Sequence, residues 1–272
     1  MRRFYALALL AAALLVLGSC ERQPRLVILH TNDTHSHFEP IRSGADAGKG
    51  GAIERAAFID SVRNAVGEDK VLLLHAGDFS QGTSYFSELG GQLEPRVIND
   101  MRYDCVTLGN HEFDNGIEDL AGRLARLEGT KVVSANIDVS QFELGKYVQP
   151  YAIIEKAGLR IGVIGLETNL SANVSATISS RIPQMDNVEV TNKWASYLHD
   201  SEKCDLIILL SHIGYDEDQK LVPQTRHIDL VIGGHSHTFV DGFVYVEDLD
   251  GRKVPIITDG CFGLDMGEVR FY

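Results

Sequence analysis

The feature that most constrains this chain is a series of eight short apolar runs that are continuous rather than alternating. A strand that is apolar at successive positions has both faces buried, which is typical of a sheet covered on both sides. Turn residues and amphipathic stretches separate the runs, so each run is short enough to form one strand. The predicted strands are 26–31, 71–76, 105–108, 132–135, 160–166, 206–211, 230–232 and 254–258.

The segments between the early predicted strands have the periodicity of amphipathic helices. Apolar residues recur at spacings of three and four over 52–66 and over 117–127. This alternation of strands and helices predicts an α/β architecture whose first half pairs in parallel. A short turn separates the runs 151–155 and 160–166, which predicts an antiparallel hairpin and therefore a mixed sheet. No linker divides the chain, so we expect one domain over residues 25–272.

Composition limits the classes of protein to which the chain can belong. The 272 residues are 44% apolar, and 38 acidic side chains outnumber 25 basic ones. This much apolar material excludes a disordered or fibrous chain. The formal net charge of −13 offers no basic binding face, so we expect no nucleic-acid polymer as a partner.

The N-terminus has the pattern of an export signal. Two arginines precede an apolar run over 4–17 that is too short to cross a bilayer as a helix. Small residues then lead to Cys20, as in a bacterial lipoprotein signal. We predict a signal peptide over 1–19, lipidation of Cys20 and a short tether over 20–24. The expected location is therefore the periplasmic or cell-surface face of a bacterial membrane. An ordinary signal peptide with a chance cysteine is the alternative.

Polar motifs follow five of the predicted strands at the point where each strand ends. In α/β sheets, ligands bind beyond the carboxyl ends of the strands. Aspartate, asparagine and histidine suit a borderline divalent cation, and so many of them indicate two ions. Glycines beside them allow close approach of the backbone. The motifs are Asp33-Thr34-His35, Gly77-Asp78, Gly109-Asn110-His111-Glu112-Phe113-Asp114, Ser211-His212 and Gly233-Gly234-His235-Ser236-His237.

In this order, the motifs resemble those of the calcineurin-like metallophosphoesterases. The strings over 29–33 and 109–116, with Gly50 and Gly51 before a helical pattern, are similar to the N-terminal metallophosphatase domain of the 5′-nucleotidase branch. The resemblance extends over nearly the whole chain from residue 25 onward. It implies an α/β fold of two packed mixed β-sheets flanked by helices, which is a four-layer αββα arrangement.

The resemblance also implies roles for individual residues in a centre of two divalent metal ions, which would be Zn, Mn, Co or Fe. His111 would be the catalytic histidine, and Asp114 would orient it. The alternative for Asp114 is to be the N-cap of the helix that begins near Gly116. The first ion would be held by Asp33, His35, Asp78 and His237, and the second by Asp78, Asn110, His212 and His235, with Asp78 as the bridge.

The implied reaction is the hydrolysis of phosphate esters, with 5′-nucleotides or related exported phosphomonoesters as the expected substrates. Two cations would activate water in an acidic pocket, and His111 would assist the leaving group. A phosphodiesterase acting on cyclic nucleotides, or a nucleotide-sugar hydrolase, is the alternative within this chemistry. The full-length family members carry a second domain that recognises the nucleotide, so a separate chain could supply it. A noncatalytic metal-binding lipoprotein is the alternative outside enzymes.

Other polar residues carry narrower expectations. His37 is predicted either to contact substrate or to be a solvated loop residue. His30 and His75 lie within strands, so we expect both to be packed and hydrogen-bonded. Glu112 is expected to support a metal ligand or to cap a turn. Asn136 is expected to support a metal ligand or to be a turn residue.

Overall fold

The computed structural model describes residues 23–272; the predicted signal peptide and Cys20 lie outside the described residues. Within 23–272, no helix is both long enough and apolar enough to cross a membrane. The strands are β1 Leu26–Thr31, β2 Val71–His75, β3 Cys105–Thr107, β4 Lys131–Val133, β5 Val148–Gln149, β6 Tyr151–Lys156, β7 Leu159–Glu167, β8 Leu206–His212, β9 Leu230–Ile232, β10 Val244–Glu247, β11 Lys253–Ile257 and β12 Gly267–Phe271. The α-helices are α1 Ala52–Val66, α2 Ser84–Leu89, α3 Leu93–Met101, α4 Ile117–Leu124, α5 Leu170–Asn173, α6 Ala176–Ser179, α7 Asn187–Asp200 and α8 Tyr215–Leu221.

The described strands form two mixed sheets of six strands each. The first sheet has the order β12-β1-β2-β3-β4-β5, in which β1 to β5 are parallel and β12 is antiparallel to β1. The second has the order β10-β11-β9-β8-β7-β6, with parallel central strands and an antiparallel strand at each edge. The predicted α/β class, the parallel first half and the β6–β7 hairpin are confirmed.

Strand β1 shows why its sequence is apolar at successive positions. Leu26 and Ile28 lie in the core between the two sheets, where they pack with residues such as Ile208. Val27 and Leu29 lie on the opposite face and pack against helices α1, α3 and α4. All of these side chains are fully buried, and each contributes about 1.5–3 kcal/mol of hydrophobic stabilisation.

A third core lies on the outer face of the second sheet. There, residues of β7, β8 and β9 pack against helices α7 and α8. The layers therefore run helix, sheet, sheet, helix, which confirms the predicted αββα arrangement. Because both sheets are covered on both faces, the polar motifs can lie only at the strand ends.

Asn136, which follows β4, joins the two sheets near those strand ends. Its Nδ2 donates to Glu167 O over 2.6 Å, and its Oδ1 accepts from Glu167 N over 2.8 Å. At Gly165 in β7, a Cβ would lie 2.3 Å from Val133 O, so the glycine allows the sheets to approach closely. Asn136 therefore fixes the relative position of the sheets and belongs to neither group of candidate metal ligands.

The predicted strands agree with the observed ones to within two residues at each end. The edge strand β10 and helix α7 are among the elements without a predicted counterpart. Strand β10 alternates between half-buried and exposed positions and gives no continuous apolar run. Helix α7 begins with β-branched Val188, Val190 and Thr191, which weaken a helical signal.

Candidate metal centre

The polar motifs meet at one edge of the structure, beyond the carboxyl ends of β1, β2 and β3 in the first sheet and β8 and β9 in the second. Because the two sheets face each other, their strand ends bring the loops together from opposite sides. Every predicted metal ligand lies at this edge. Six of them form two groups of candidate metal-binding side chains: Asp33, His35 and His237, and Asp78, His212 and His235.

In the first group, the three donor atoms lie within 4.8 Å of one another. The Nε2 atoms of His35 and His237 are 3.0 Å apart. Asp33 Oδ1 is 3.8 Å from His35 Nε2 and 3.5 Å from His237 Nε2. Two imidazole nitrogens and a carboxylate oxygen directed at one point are a donor set for a borderline divalent cation.

In the second group, Asp78 Oδ2 lies 3.0 Å from His212 Nε2. The same oxygen lies 3.9 Å from His35 Nε2, so Asp78 stands between the two groups. Asn110 Oδ1 is buried and has no hydrogen-bond partner among the described residues. This placement is compatible with the predicted bridging role of Asp78 and with Asn110 as a ligand.

Hydrogen bonds on the far side of two rings leave their Nε2 atoms available to a cation. His212 Nδ1 lies 2.6 Å from Ala76 O, and His35 Nδ1 lies 3.3 Å from Ser80 O. A carbonyl only accepts, so in the neutral form of each ring Nδ1 carries the proton and Nε2 has a free lone pair. Nε2 of His212 is buried without a hydrogen-bond partner among the described residues. The donor set therefore fits a divalent cation.

Charges at the site reinforce this fit. Burial opposes a charge on His212, but Asp78 and Asp33 raise the pKa of its imidazole well above the usual value. Burial also opposes the charge on Asp78, yet His212 lowers the pKa of that carboxyl. Burial lowers the pKa of His35 and of His235. The carboxylates that raise the pKa of His212 are the same groups that would attract a divalent cation, and such a cation would compete with a proton for His212 Nε2.

Two glycines keep the centre of the site clear. A Cβ on Gly109 would lie 2.3 Å from Asp78 Oδ1 and 2.6 Å from His212 Nε2. A Cβ on Gly77, which has φ +84°, would lie 2.5 Å from His212 Nδ1. Any other residue at either position would displace the candidate ligands, as the glycines of the motifs predict.

Five of the seven predicted metal ligands have a left-handed backbone conformation. A positive φ is uncommon outside glycine and costs about 1–3 kcal/mol for each residue. Backbone hydrogen bonds hold two of the turns, since Asp33 N donates to Gly77 O and His35 N to Asp78 O. The strain is concentrated where side chains converge. The residues are Asp33 (φ 47°), His35 (46°), Asp78 (53°), His235 (73°) and His237 (52°).

His111 borders the cavity that opens over the two groups of candidate ligands, but it belongs to neither group. Its Nδ1 lies 2.9 Å from Asp114 Oδ2, which leaves Nε2 as the nitrogen free to act. The hydrogen bond to Asp114 raises the pKa of His111 against the effect of burial. Helix α4 has Gly116 at its N-cap and no side-chain cap, so the alternative role of Asp114 as that N-cap is not observed.

Glu112, fully buried, joins two of the metal-site loops. Its Oε2 accepts from the backbone N of Asp78 (2.8 Å) and of Gly109 (2.7 Å), while its Oε1 accepts from Ser80 N (2.9 Å). Burial and the nearby charge of Asp78 raise the pKa of Glu112 to about 7, although these hydrogen bonds oppose the shift. Glu112 therefore supports the candidate ligands and also caps the short helical turn Asn110–Phe113, so both of its expected roles are observed.

Two other acids are buried beside the site. Glu167 ends strand β7, Asp218 lies on α8, and each has one carboxyl oxygen without a hydrogen-bond partner among the described residues. Burial raises the pKa of Glu167 well above its usual value and that of Asp218 to about 7. Both carboxyls therefore add less negative charge to the site at neutral pH than their number suggests.

A cavity of about 480 Å³ opens over the two groups. Two residues beside it have roles that the sequence motifs do not predict. Phe262, with φ 62°, places its ring 5.9 Å from the ring of His35 and 5.7 Å from that of His237. Asn32 Nδ2 donates to Asp33 Oδ2 over 2.6 Å. Asn32 precedes a candidate ligand, which is a signal that could have found it; Phe262 lies in no such motif.

The expectation that the strand histidines are packed and hydrogen-bonded is met by His75; His30 is packed, but neither of its ring nitrogens forms a well-aligned hydrogen bond among the described residues. His30 Nδ1 lies 2.6 Å from Asp259 Oδ2, and His75 Nε2 lies 3.0 Å from Thr34 Oγ1. Both rings are buried, and burial lowers the pKa of His75 to about 3, so that ring is neutral. His37 borders the cavity, which is compatible with the first of its two alternatives.

The fold and the site define a class of protein: an αββα chain with two groups of candidate metal-binding side chains where its two sheets meet. The sequence profile of the family described as "Calcineurin-like phosphoesterase" matches residues 26–239. The chain belongs to this family of phosphoric ester hydrolases, which confirms the family predicted from the motifs.

Curated relatives and solved structures refine the comparison. The chain is 34% identical to a snake venom 5′-nucleotidase of Gloydius brevicauda, over 94% of this chain and 46% of the relative. It is 32% identical to the 5′-nucleotidase of Homo sapiens, over 90% of this chain and 46% of the relative. The structure of a 5′-nucleotidase precursor from Thermus thermophilus superimposes with a TM-score of 0.83 at 33% identity, over 91% of this chain and 51% of that chain. The chain therefore spans about half the length of these relatives and resembles the 5′-nucleotidase branch.

Proposed function

We propose that this chain hydrolyses phosphate monoesters, with 5′-nucleotides as the first substrate class, and that it uses two divalent ions. The observation that carries the proposal is the position of Asp78 between two His/Asp groups, with the His111–Asp114 pair beside them. The 5′-nucleotidase relatives support the substrate class. We assign the first ion to Asp33, His35, Asp78 and His237, and the second to Asp78, Asn110, His212 and His235.

The protein side chains prepare an acidic pocket for an anionic substrate. When bound, two divalent ions lower the pKa of water and polarise phosphoryl oxygens. Asp33 and Asp78 would hold those cations, and the bound charge would make the local potential attractive to a phosphate. Glu112 holds the loop of Asp78 against that of Asn110 and thereby fixes the distance between the ligands.

His111 has the geometry of a general acid. Water releases one proton to the solvent, its hydroxide oxygen bonds to phosphorus, the bond from phosphorus to the ester oxygen breaks, and the departing alkoxide needs a proton. His111 Nε2 donates that proton, because its Nδ1 is engaged by Asp114. Asp114 fixes the tautomer and stabilises the protonated ring, which is why the pKa of His111 is raised.

A substrate panel tests this proposal. Purified protein is assayed with Mn²⁺, Zn²⁺, Co²⁺ or Mg²⁺ against nucleoside monophosphates, other monoesters, diesters and nucleotide sugars. Metal-dependent release of phosphate from nucleoside monophosphates supports the proposal. Preferred turnover of diesters or cyclic nucleotides would favour the phosphodiesterase, and preferred turnover of nucleotide sugars would favour that hydrolase. No turnover of any ester with any ion would contradict an enzymatic role and favour the noncatalytic metal-binding protein.

Three further assignments stay predictions. Export over 1–19 and lipidation of Cys20 are tested by metabolic labelling with a radioactive fatty acid, in which Cys20→Ser should lose the label. A separate chain that supplies nucleotide recognition is tested by assaying nucleotide turnover with and without the protein encoded by the adjacent reading frame. No gain on mixing would exclude that protein as the partner.

A further inference from the structure

A second cavity adjoins the metal cavity and shares one wall with it. This cavity has a volume of about 260 Å³ and lies between the loop that follows β1 and the start of helix α2. His37 borders both cavities. On the metal side, the ring of Phe262 packs against His37 with centroids 4.2 Å apart. A substrate held at the candidate ligands could therefore extend past His37 into this second cavity.

Two aromatic side chains line the second cavity. The rings of Phe38 and Tyr85 meet edge to face, with centroids 5.5 Å apart and planes at 82°. Both side chains are half-buried, so each ring retains an accessible surface. The accessible surface of such a ring can bind a planar aromatic group by stacking or by edge-to-face contact, with little dependence on its exact substituents.

The charges in this cavity favour a neutral group over a phosphate. Tyr85 Oη donates to Glu39 Oε1 over 2.7 Å, and Arg42 donates to Glu39 Oε2. Tyr85 and Arg42 together lower the pKa of Glu39, so this carboxyl is ionised and paired. Because Arg42 is already paired with Glu39, this cavity offers a phosphate no unpaired positive charge, whereas the first cavity contains the candidate metal ligands. An ester would therefore lie with its phosphoryl group at the metals and its neutral part in the second cavity.

The walls of the second cavity are fixed by hydrogen bonds. Thr83 Oγ1 donates to Ser36 O over 2.9 Å, which ties the α2 side to the loop after β1. Ala52 N donates to Phe38 O over 2.9 Å, and Ile41 N donates to Lys49 O over 2.9 Å. A site that exists before its ligand arrives loses little conformational entropy on binding.

We propose that this second cavity is a leaving-group site that binds the planar aromatic part of the substrate, a nucleobase or an aryl group, through Phe38 and Tyr85. The inference rests on the proposed function, because it names the part of a phosphate monoester that the metal centre does not contact. It places recognition of the aromatic group within the described chain. It is therefore an alternative to the separate chain that the sequence suggested for nucleotide recognition.

The test compares esters that share the phosphoryl group and differ in the leaving group. We measure kcat/KM for adenosine 5′-monophosphate, 4-nitrophenyl phosphate and glycerol 2-phosphate with saturating Mn²⁺. In Phe38→Leu and Tyr85→Leu, the ratio of each aromatic ester to glycerol 2-phosphate should fall by about tenfold. Leucine keeps an apolar side chain and removes the aromatic ring and, at Tyr85, the hydrogen bond to Glu39. The matched control is Tyr245→Leu on β10, an exposed tyrosine that lines neither cavity, and its ratio should equal that of the wild type.

A binding measurement separates this inference from the proposed function. Saturation-transfer NMR on the metal-free full chain, with adenosine and with benzyl alcohol as probes, should detect contact that both leucine variants weaken. Adenosine binding alone would identify a nucleobase site, and binding of both probes would identify a general aryl site. Equal ratios in all variants, together with no probe contact, would overturn the leaving-group site. Probe binding without hydrolysis of any ester would overturn the proposed function and retain the site.

Discussion

Asp78 Oδ2 lies 3.0 Å from His212 Nε2, across the boundary between the two sheets. Asp78 follows β2 of the first sheet and His212 ends β8 of the second, so their contact depends on the packing of the sheets against each other. The candidate metal centre is therefore a property of the whole αββα arrangement and of no single loop. Each side of the boundary contributes ligands to both assigned ions.

The number of bound metal ions should depend on which group of ligands is changed. We expect His237→Ala to lose the first ion and His235→Ala to lose the second, because each residue contributes to one group. Asp78→Ala should lose both ions, because its carboxylate stands between the groups. The measurement is elemental analysis by mass spectrometry after dialysis against trace metal. The control is His199→Ala at an exposed position on α7, which should keep wild-type content. An Asp78→Ala protein with two bound ions would contradict the assignment.

The His111–Asp114 pair should separate metal binding from catalysis. His111→Ala should lower kcat by about 10²–10⁴-fold while both ions remain bound, because His111 acts on a proton and belongs to neither ligand group. Asp114→Asn should move the alkaline limb of the pH–rate profile to lower pH. The reason is that the hydrogen bond from Asp114 raises the pKa of His111, so its loss lets the ring deprotonate earlier.

The chain contains a matched control for this pair. His199 Nδ1 lies 2.8 Å from Asp200 Oδ1 at an exposed site outside the cavity, which is close to the 2.9 Å of the His111–Asp114 contact. Asp200→Asn should leave the pH–rate profile unchanged. Full activity in His111→Ala, or an unmoved alkaline limb in Asp114→Asn, would refute the role of the pair.

Glu112→Gln should weaken the junction between two metal-site loops. A glutamine amide can accept the backbone hydrogen bonds on one side only, and its NH₂ group then faces another backbone donor. We expect the free energy of unfolding to fall by about 2 kcal/mol, which is typical of a buried donor left unsatisfied. Urea unfolding with saturating Mn²⁺ measures it, and Glu88→Gln, at an exposed position on α2, is the control. Equal stability of the two variants would show that Glu112 does not hold the loops.

Asp218 should make stability depend on pH. Burial raises its pKa from 3.8 to about 7, so the folded state keeps a proton that the unfolded state has released. Stability therefore falls as the pH rises through this interval, by about 1.4 kcal/mol for each pH unit between the two values. Asp218→Asn removes the titration, and Ser211 Oγ can still donate to the remaining carbonyl oxygen.

The measurement is the urea midpoint of wild type and Asp218→Asn at pH 5 and at pH 8, at one metal concentration. The variant should gain stability relative to the wild type at the higher pH. If the difference in urea midpoint between the two proteins is the same at both pH values, Asp218 is already ionised in the folded state.

Much of the fold could be predicted because burial on both faces leaves a continuous apolar run. Leu26 to Leu29 alternate between the inter-sheet core and the helix-facing core, and both environments require apolar side chains. Helix α7 could not be predicted in the same way, because Val188, Val190 and Thr191 favour extended structure until packing on the second sheet overrides them.

The candidate site could be predicted where potential metal ligands directly follow glycines in the sequence. Asp78 and Asn110 stand directly after glycines whose Cβ atoms the site excludes. Phe262 could not be predicted, because its contact with His35 joins two loops that are distant in the sequence. Phe38 and Tyr85 are likewise distant in sequence, and only the folded chain places their rings together.

The central claim is that two divalent ions at this inter-sheet site support hydrolysis of phosphate monoesters. The most direct test is to strip the protein of metal with a chelator and then titrate Mn²⁺ while measuring release of phosphate from adenosine 5′-monophosphate. We predict no turnover in the stripped protein and activity that rises until two equivalents are bound. Turnover that survives complete removal of metal, or that is complete at one equivalent, would contradict this account.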